Sequence, residues 1–304
     1  MKEEVSEDGH TGSVFKVGGR GVEPVQLGQQ LVLIAGPCGL ESRELVLDVA
    51  SQVDQIARGL GVPWVFKGSF DKANRSAAGA WRGPGILEGL QMLAEVRDRL
   101  GIPVTTDVHL PEQAVVAARV VDLLQVPAFL CRQSDLLQAC ADTGLPVNVK
   151  KGQFLAPAAA AGIVDKVGAD RVMLTERGAC FGHGDLVVDF RSLVQMRALG
   201  VPVCFDATHS TQRPGGEHTG GDRRYAAPLA RAAAAVGIDA LFVEVHPRPK
   251  QARSDAATQL TPAQLQAILR EVVAVHEVRG ECTRIAAGSA HRRDTLRQSR
   301  TSSG

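Results

Sequence analysis

The stretch Gly-Leu-Pro-Val-Asn-Val-Lys-Lys at positions 144–151 contains the pattern that decides the fold. Glycine ends a helix, and proline opens the strand that follows. The apolar run after the proline is short and rich in Val and Leu, which is typical of a strand buried on both faces. The run ends in Lys150, so a charged side chain stands where the strand stops.

The same pattern recurs along the chain. Gly-x-Pro begins three further runs at 61–63, 101–103 and 200–202, and amphipathic segments rich in Ala, Leu and Val separate the runs. Strands that alternate with helices indicate a parallel sheet. Eight repeats over roughly 250 residues therefore predict an α/β fold of the (β/α)8 TIM-barrel type. The predicted strands are 31–35, 64–67, 103–107, 121–125, 146–150, 171–175, 201–206 and 239–244.

The pattern predicts one barrel domain over 13–282, without a linker-like break. Residues 14–28 contain two short strand-like pieces around Gly-Gly-Arg-Gly and predict an N-terminal β-hairpin at the bottom of the barrel. The polar ends, 1–12 and 283–304, are predicted to be disordered tails. The predicted helices are 43–58, 85–100, 111–119, 134–142, 157–167, 188–198, 223–236 and 262–278.

Composition excludes several classes of function. The net charge is +1 over 304 residues, which gives no reason to expect nucleic acid or a membrane surface as a partner. No stretch approaches the roughly 18 apolar residues of a membrane span, and the acidic N-terminus is no secretory signal. The six cysteines form no CxxC pair, so a disulfide framework is not expected. These features predict a cytoplasmic protein.

Reactive or charged residues follow most of the predicted strands. In a barrel of this kind the loops at the carboxyl ends of the strands converge, so these side chains are expected to share one site. The segment 67–76 supplies three cations among Ser and Asn donors, which suits phosphate or carboxylate. Further cations after later strands indicate more than one anionic group in the substrates. The cationic positions are Lys67, Lys72, Arg75, Arg132, Lys150, Lys151 and Arg177.

A divalent metal site is a second hypothesis from the strand ends. Thiolate, imidazole and carboxylate ligands suit Zn, Fe, Mn or Co. The spacing is not a local motif, so a buried cysteine, a core histidine and surface acids remain the alternative interpretation. His109 and His246 are competing imidazoles. The candidate ligands are Cys38, His209, Glu244 and Asp255.

Long motifs then follow one another in order along the chain. They are AGPC at 35–38, FKGSFDKANRS at 66–76, RGPG at 82–85, PAFLCRQSDL at 127–136, NVKKGQF at 148–154, TERG at 175–178, LVVDFR at 186–191, FDATHS at 205–210 and EVHP at 244–247. Together they resemble the 3-deoxy-D-manno-octulosonate 8-phosphate synthase family. The resemblance implies a (β/α)8 barrel, usually a homotetramer. The resemblance further implies an enzyme that condenses phosphoenolpyruvate with D-arabinose 5-phosphate and water and releases inorganic phosphate. Its product would feed lipopolysaccharide biosynthesis.

The resemblance also implies roles for individual residues. The phosphoenolpyruvate-binding residues would be Lys67, Ser69, Lys72, Lys150, Gln153 and Arg177. The sugar-phosphate-binding residues would be Asn74, Arg75, Ser76 and, from a neighbouring subunit, Arg132. The catalytic residues would be Lys72, as proton donor to the aldehyde, with Cys38 and His209 as metal ligands. Metal-independent members have Asn at the position of Cys38, so this chain resembles the metal-dependent class.

Three departures from the family pattern and three alternative functions stay open. Trp81 stands where a smaller aromatic is usual, FGHGDL with His183 replaces a Tyr-x-Asn version, and Gly152 replaces a proline of some members. The nearest alternative is 3-deoxy-D-arabino-heptulosonate 7-phosphate synthase acting on erythrose 4-phosphate, although the motifs at 72–76 and 127–136 favour the five-carbon sugar. The others are a metal-dependent phosphoester hydrolase and a sugar-phosphate-binding barrel without activity.

Overall fold

A closed barrel of parallel strands forms the centre of the protein. The computed structural model describes residues 12–74, 79–180, 184–214 and 220–301, with side chains described up to position 281. The barrel order is β12-β3-β4-β5-β6-β7-β8-β9, and every neighbouring pair in it is parallel. The strands are β1 (Phe15–Val17), β2 (Val25–Leu27), β3 (Val32–Gly36), β4 (Trp64–Lys67), β5 (Val104–Asp107), β6 (Leu123–Val126), β7 (Val147–Lys150), β8 (Val172–Glu176), β9 (Val203–Asp206), β10 (Gln212–Arg213), β11 (Gly220–Gly221) and β12 (Ala240–Glu244).

The α-helices of the described residues lie between the barrel strands, and this arrangement confirms the predicted (β/α)8 fold. The first helix begins where the sequence predicts, because the Ser42 hydroxyl accepts a hydrogen bond from the Leu45 amide at 3.2 Å. The helices are α1 (Arg43–Gly59), α2 (Ile86–Leu100), α3 (Pro111–Ala117), α4 (Ser134–Asp142), α5 (Ala161–Val167), α6 (Arg191–Arg197), α7 (Ala226–Val236) and α8 (Pro262–Thr301).

Helix boundaries differ from the sequence prediction at several places. Helices α5 and α7 begin later than the predicted 157 and 223, because Pro157–Ala160 and Arg223–Tyr225 form 3-10 helices before them. Helix α3 ends at Ala117 rather than at 119. Helix α6 begins at Arg191 rather than at 188, because the Asp189 carboxylate accepts from the Arg191 amide at 3.0 Å and holds 188–189 outside the helix. Helix α8 continues to Thr301, beyond the predicted end at 278. The single barrel domain and the two polar tails stay predictions. None of the described helices is long and apolar enough to cross a membrane.

The N-terminal hairpin closes the lower end of the barrel, as predicted. Strands β1 and β2 pair antiparallel, and the hairpin leads directly into the amino end of β3. Its inward side chains join one apolar cluster with residues of the barrel strands, including Val32, Leu123, Cys204 and Phe242. Burial of this apolar surface stabilises the fold and excludes water from the barrel floor. The inward side chains, which we call the lower plug, are Phe15, Val17, Val25 and Leu27.

Candidate active site

A cavity of about 770 Å³ opens at the carboxyl ends of the barrel strands, and we call it the mouth cavity. Strand ends and loops from around the barrel contribute its lining, as the sequence predicts for a shared site. Its lining includes Asp107, Gln125 and Gln212, to which the sequence analysis assigned no role in binding or catalysis. The predicted site residues that line it are Lys67, Lys72, Asn74, Lys150, Gln153, Arg177, His209, Glu244 and Asp255.

The other predicted site residues lie outside this lining. Cys38 is fully buried and contacts Asp255, whereas Ser69 is fully buried and accepts a hydrogen bond from Lys72 at 3.1 Å. Arg132 does not line the cavity of its own chain, and its backbone carbonyl accepts from Lys166. The prediction for Arg75 and Ser76 falls outside the described residues, as does that for His183.

Buried cations of the mouth cavity each have an acidic or amide partner. The Lys67 ammonium lies 2.7 Å from Glu244 Oε1 and donates to the Cys38 carbonyl at 2.9 Å. Lys150 pairs with Asp206 and lies over the Phe242 ring. An unpaired charge buried at this depth would destabilise the protein. Because these cations are paired, the folded protein can hold them in the cavity.

Arg177 retains spare hydrogen-bonding capacity. Its Nη2 donates to Gln212, while Nη1 is buried without a hydrogen-bond partner among the described residues. Burial lowers the pKa of Arg177 even though carboxylates around it act in the opposite direction. An anion that accepted from Nη1 would satisfy this donor.

A cysteine and two carboxylates meet at one wall of the mouth cavity. One ligand atom from each of Cys38, Glu244 and Asp255 lies within 4.8 Å of the others. The predicted fourth ligand, His209, lies next to Glu244 of this group, with its Nε2 at 3.6 Å from Glu244 Oε1. Glu244 Oε2 is buried and has no hydrogen-bond partner in the described part of the chain. The donor types and the unsatisfied oxygen fit a divalent cation.

The Cys38 side chain carries its proton when no cation is bound. Burial, followed by the nearby charges of Asp255 and Glu244, raises the pKa of the thiol well above its ordinary value. The thiol donates to Asp255 Oδ2 at 2.9 Å. A cation would take the place of this proton, because the thiolate is the form that binds metal.

Asp206 is a central residue of the site that sequence reasoning missed. Its Oδ2 lies 2.7 Å from His209 Nδ1 and also accepts from Lys150, and its Oδ1 accepts from the Thr208 and His209 amides. Burial opposes its ionisation, but His209 and Lys150 lower the pKa of Asp206 well below its ordinary range. With Nδ1 held by Asp206, the Nε2 of His209 lies towards Glu244, at 3.6 Å from its Oε1.

Asp107 occupies the same position on β5 as Lys67 does on β4, at the strand end. One of its oxygens accepts from Ser69 and the other from Gln125. Burial raises the pKa of Asp107, but Lys67 and Lys72 outweigh that effect and lower it. Burial likewise opposes a charge on Lys72, yet the carboxylates of Glu244, Asp107 and Asp255 raise its pKa, so this amine is protonated at neutral pH.

The two competing imidazoles and Trp81, one of the departures from the family pattern, lie around this site. His109 lines the cavity, whereas His246 faces Glu41 at 3.9 Å, outside the lining. The Trp81 ring lies against Gly39, where an added Cβ would be 2.8 Å from a ring carbon. The Arg253 guanidinium lies 5.6 Å from the centre of the same ring.

Comparison with known proteins gives the family. The model of the DAHP synthetase I family matches residues 23–279, which include the whole barrel and the first part of α8. The chain belongs to this family. Membership agrees with a barrel whose functional residues stand at the carboxyl ends of the strands.

Individual relatives are close in sequence over nearly their whole length. A 2-dehydro-3-deoxyphosphooctonate aldolase of a Cyanothece species is 53% identical over 253 residues, which cover 82% of this chain and 93% of the relative. The protein of that name from Desulfatibacillum aliphaticivorans is 52% identical, covering 83% and 94%. The one from Fusobacterium nucleatum is 49% identical, covering 82% and 92%.

Proposed function

We propose that the protein condenses phosphoenolpyruvate with D-arabinose 5-phosphate and water to give 3-deoxy-D-manno-octulosonate 8-phosphate and inorganic phosphate. The single observation that carries this proposal is the mouth cavity, in which separate strands bring Lys67, Lys150 and Arg177 together beside a cysteine–carboxylate cluster. Relatives with about half of their residues identical are named 2-dehydro-3-deoxyphosphooctonate aldolase, which supports it. The protein is accordingly an enzyme that forms a carbon–carbon bond.

Phosphoenolpyruvate would bind among the buried cations. Lys67, Lys150 and Arg177 surround its phosphate and carboxylate, and the unpartnered Arg177 Nη1 accounts for one hydrogen bond. Lys72 adds a fourth cation, assisted by Ser69, to which its amine donates a hydrogen bond. Gln153 lines the same cavity, and its side-chain Oε1 is buried without a partner in the described residues. Fixed cations in a dry pocket favour an anion strongly, because little solvent screens them.

The sugar phosphate would bind nearer the cavity rim. Asn74 is exposed there, and Arg75 and Ser76 follow it in the chain. Arg132 of a neighbouring subunit would complete this site, which requires an oligomer, and we propose a homotetramer. In such an assembly the absence of Arg132 from its own cavity is expected.

The reaction joins two anions through carbon. C3 of phosphoenolpyruvate attacks C1 of the aldehyde, whose oxygen takes up a proton. The oxygen of water adds to C2 and a proton leaves it. The C2–O bond to the phosphoryl group then breaks and phosphate departs with the bonding pair, while the C2 hydroxyl loses its remaining proton and becomes the new ketone. Holding both substrates in one cationic cavity supplies orientation that free reactants lack.

Lys72 is the residue that would give the aldehyde oxygen its proton. It lines the cavity, it is protonated, and Ser69 holds its amine at 3.1 Å. Cys38, His209, Glu244 and Asp255 would hold a divalent cation, Zn, Fe, Mn or Co. When bound, such an ion can orient or activate the water or polarise the aldehyde. Cys38 is then a ligand rather than a nucleophile.

The product indicates the pathway and the cellular compartment in which the protein would act. An acidic eight-carbon sugar phosphate made in this way serves lipopolysaccharide biosynthesis, and we propose that the protein works in the cytoplasm. Small phosphorylated molecules are its substrates under this proposal. The near-zero net charge of the chain agrees with a locally charged cavity rather than a broadly charged surface.

Phosphate release from phosphoenolpyruvate tests the proposal directly. We expect release with D-arabinose 5-phosphate, little with erythrose 4-phosphate, and loss of activity after chelation with recovery on adding a divalent ion. Faster turnover with erythrose 4-phosphate would instead support the heptulosonate synthase. Phosphate release without any aldose would support a hydrolase.

The Cys38→Asn variant tests the ligand assignment. We expect it to lose metal affinity and to respond little to chelation, because an amide is a poor ligand compared with a thiolate. Unchanged metal affinity and unchanged metal-dependent turnover would reject Cys38 as a ligand. Cys140→Ala is the matched control, since Cys140 is equally buried but lies in α4, away from the cavity.

A further inference from the structure

A continuous row of hydrogen-bonded side chains crosses the inside of the barrel from β8 to the loop after β4. The Thr175 hydroxyl donates to Asn148 Oδ1 at 2.6 Å, and Asn148 Nδ2 donates to Gln125 Oε1 at 3.0 Å. Gln125 Nε2 then donates to Asp107, whose other oxygen accepts from Ser69. All five side chains are buried. We call them the polar row.

Strand register explains why these side chains meet. Asp107 pairs with Gln125 across β5 and β6, and Gln125 pairs with Asn148 across β6 and β7. Directly paired residues point to the same face of a sheet, which here is the barrel interior. Lys72 donates to Ser69 at 3.1 Å, so the row ends at the amine proposed to protonate the aldehyde.

The direction of the row follows from the charge of Asp107. An ionised carboxylate only accepts hydrogen bonds, so Gln125 has to offer it the NH2 group. The Gln125 carbonyl then faces Asn148, which has to offer its own NH2 group. The Asn148 carbonyl in turn requires a donor, and the Thr175 hydroxyl is that donor. Every donor therefore points towards Asp107, and such chains strengthen one another in a medium of low dielectric constant.

Two residues of the row lie away from the substrates. Asp107 and Gln125 line the mouth cavity, whereas Asn148 and Thr175 do not. We propose that Asn148 and Thr175 are positioning residues, which fix the orientation of the Gln125 amide and so keep Asp107 and Ser69 set around the Lys72 amine. This inference rests on the proposed function for its kinetic test.

The barrel contains its own control for a buried hydroxyl. Thr105 and Thr106 on β5 are as fully buried as Thr175, but their hydroxyls have no hydrogen-bond partner among the described residues. A Thr→Val change removes the same atom at each position. Only at Thr175 does it remove a donor from the polar row.

Thr175→Val, Thr175→Ser and Thr106→Val form the first test. We expect kcat for phosphate release to fall about tenfold in Thr175→Val, with KM for phosphoenolpyruvate within about twofold, because the loss falls on orientation rather than on anion binding. Thr175→Ser keeps the hydroxyl and should retain kcat, as should Thr106→Val. Equal losses in Thr175→Val and Thr106→Val would reduce the role of Thr175 to packing and overturn the inference.

Asn148→Leu gives the larger effect, because it removes both the donor and the acceptor at the middle of the row. We expect kcat to fall more than in Thr175→Val, and the acidic limb of the kcat–pH profile to move to higher pH as Asp107 loses its fixed donor. The other charged groups that act on Asp107 are Lys67, Lys72 and His109, and all remain in this variant. If Asn148→Leu does not fold, the threonine series decides the outcome alone.

A readout without substrate separates this inference from the proposed function. The side-chain NH2 protons of Gln125 should exchange slowly with solvent in the wild type and in Thr106→Val, and faster in Thr175→Val, as followed by NMR of 15N-labelled protein. If the wild type showed this exchange pattern but no activity, the proposed function would be contradicted, whereas the hydrogen-bonded polar row would still be supported. The positioning role of Asn148 and Thr175 would be overturned if both Thr175→Val and Asn148→Leu kept the exchange rate, kcat and pH profile of the wild type.

Discussion

The two ends of the same barrel strands have opposite characters. On β4, Val65 belongs to the apolar cluster of the lower plug, whereas Lys67 ends the strand in the mouth cavity. On β12, Ala240 belongs to the cluster of the lower plug, whereas Glu244 pairs with Lys67. A strand of four or five residues therefore joins a region that stabilises the fold to a region that holds charge.

The difference shows what each end contributes. Apolar burial at the lower plug contributes about 25 cal/mol for each Å² removed from water. Buried ion pairs in the mouth cavity contribute little net stability, because desolvation offsets their attraction. We infer that the charged end is kept for its ligands, and we expect substitutions at the two ends to separate activity from stability.

The largest expected effect is that of Lys67→Met at the mouth cavity. We expect kcat/KM to fall more than about 10³-fold, because a cation of the anion site is lost. The free energy of unfolding should also fall by about 3–5 kcal/mol, because Glu244 remains buried without its partner. Phosphate release and urea unfolding measure the two quantities.

Lys67→Met combined with Glu244→Gln is the control for that result. The second change removes the uncompensated charge, so we expect stability to recover in large part while activity stays lost. Recovery of activity in the double variant would show that Lys67 acts only by neutralising Glu244.

Leu27→Ala tests the lower plug. Leu27 is fully buried in the apolar cluster, and a Leu→Ala change at such a site costs about 2–5 kcal/mol of unfolding free energy. We expect kcat/KM per folded molecule to stay within about twofold, because the mouth cavity lies at the opposite ends of the strands. A drop in kcat/KM as large as that of Lys67→Met would contradict the separation of the two ends.

The two ends should also respond to opposite extremes of pH. Asp206, at the carboxyl end of β9, has a pKa below that of the unfolded chain, so its stabilisation is complete above the unfolded value and is lost as pH falls below about 4. Burial raises the pKa of the Cys204 thiol, next to the lower plug, to about 12. Its contribution is therefore complete below the unfolded thiol pKa of about 8.5 and declines as pH rises from there towards 12.

Unfolding free energies of Asp206→Asn and Cys204→Ala across this pH range check both signs, in metal-free buffer. Asp206→Asn should flatten the loss of stability in acid and Cys204→Ala the loss in alkali. Unchanged slopes in both variants would mean that other groups dominate the pH dependence.

The smallest expected effect is that of Trp81→Tyr. The Trp81 ring touches Gly39, next to Cys38, and lies near Arg253 at the cavity rim. We expect KM for the aldose to rise about twofold and kcat to change less, because aromatic and cation–π contacts at exposed sites contribute about 0.5–1 kcal/mol. An unchanged KM would indicate that this departure from the family pattern affects packing alone.

The sequence predicts the barrel and most of the mouth cavity, because strand ends are readable along the chain. Lys150 is an example, since the run before it predicts both its strand and its end of the barrel. The partner of Lys150 could not be predicted in this way. Asp206 lies 56 residues later, and its contacts with Lys150 and His209 depend on the rotation of three side chains at the ends of β7 and β9, which are separated by β8. The same limit hid the polar row, whose members lie on five successive strands or their loops.

Anomalous diffraction from crystals of the metal-loaded protein with phosphoenolpyruvate tests the central claim most directly. We expect one metal peak within about 2.0–2.4 Å of Cys38 Sγ, His209 Nε2 and carboxylate oxygens of Glu244 and Asp255. The phosphoenolpyruvate anion should contact Lys67, Lys150 and Arg177 in the same cavity. A metal peak away from these ligands, or phosphoenolpyruvate bound outside the mouth cavity, would contradict the account.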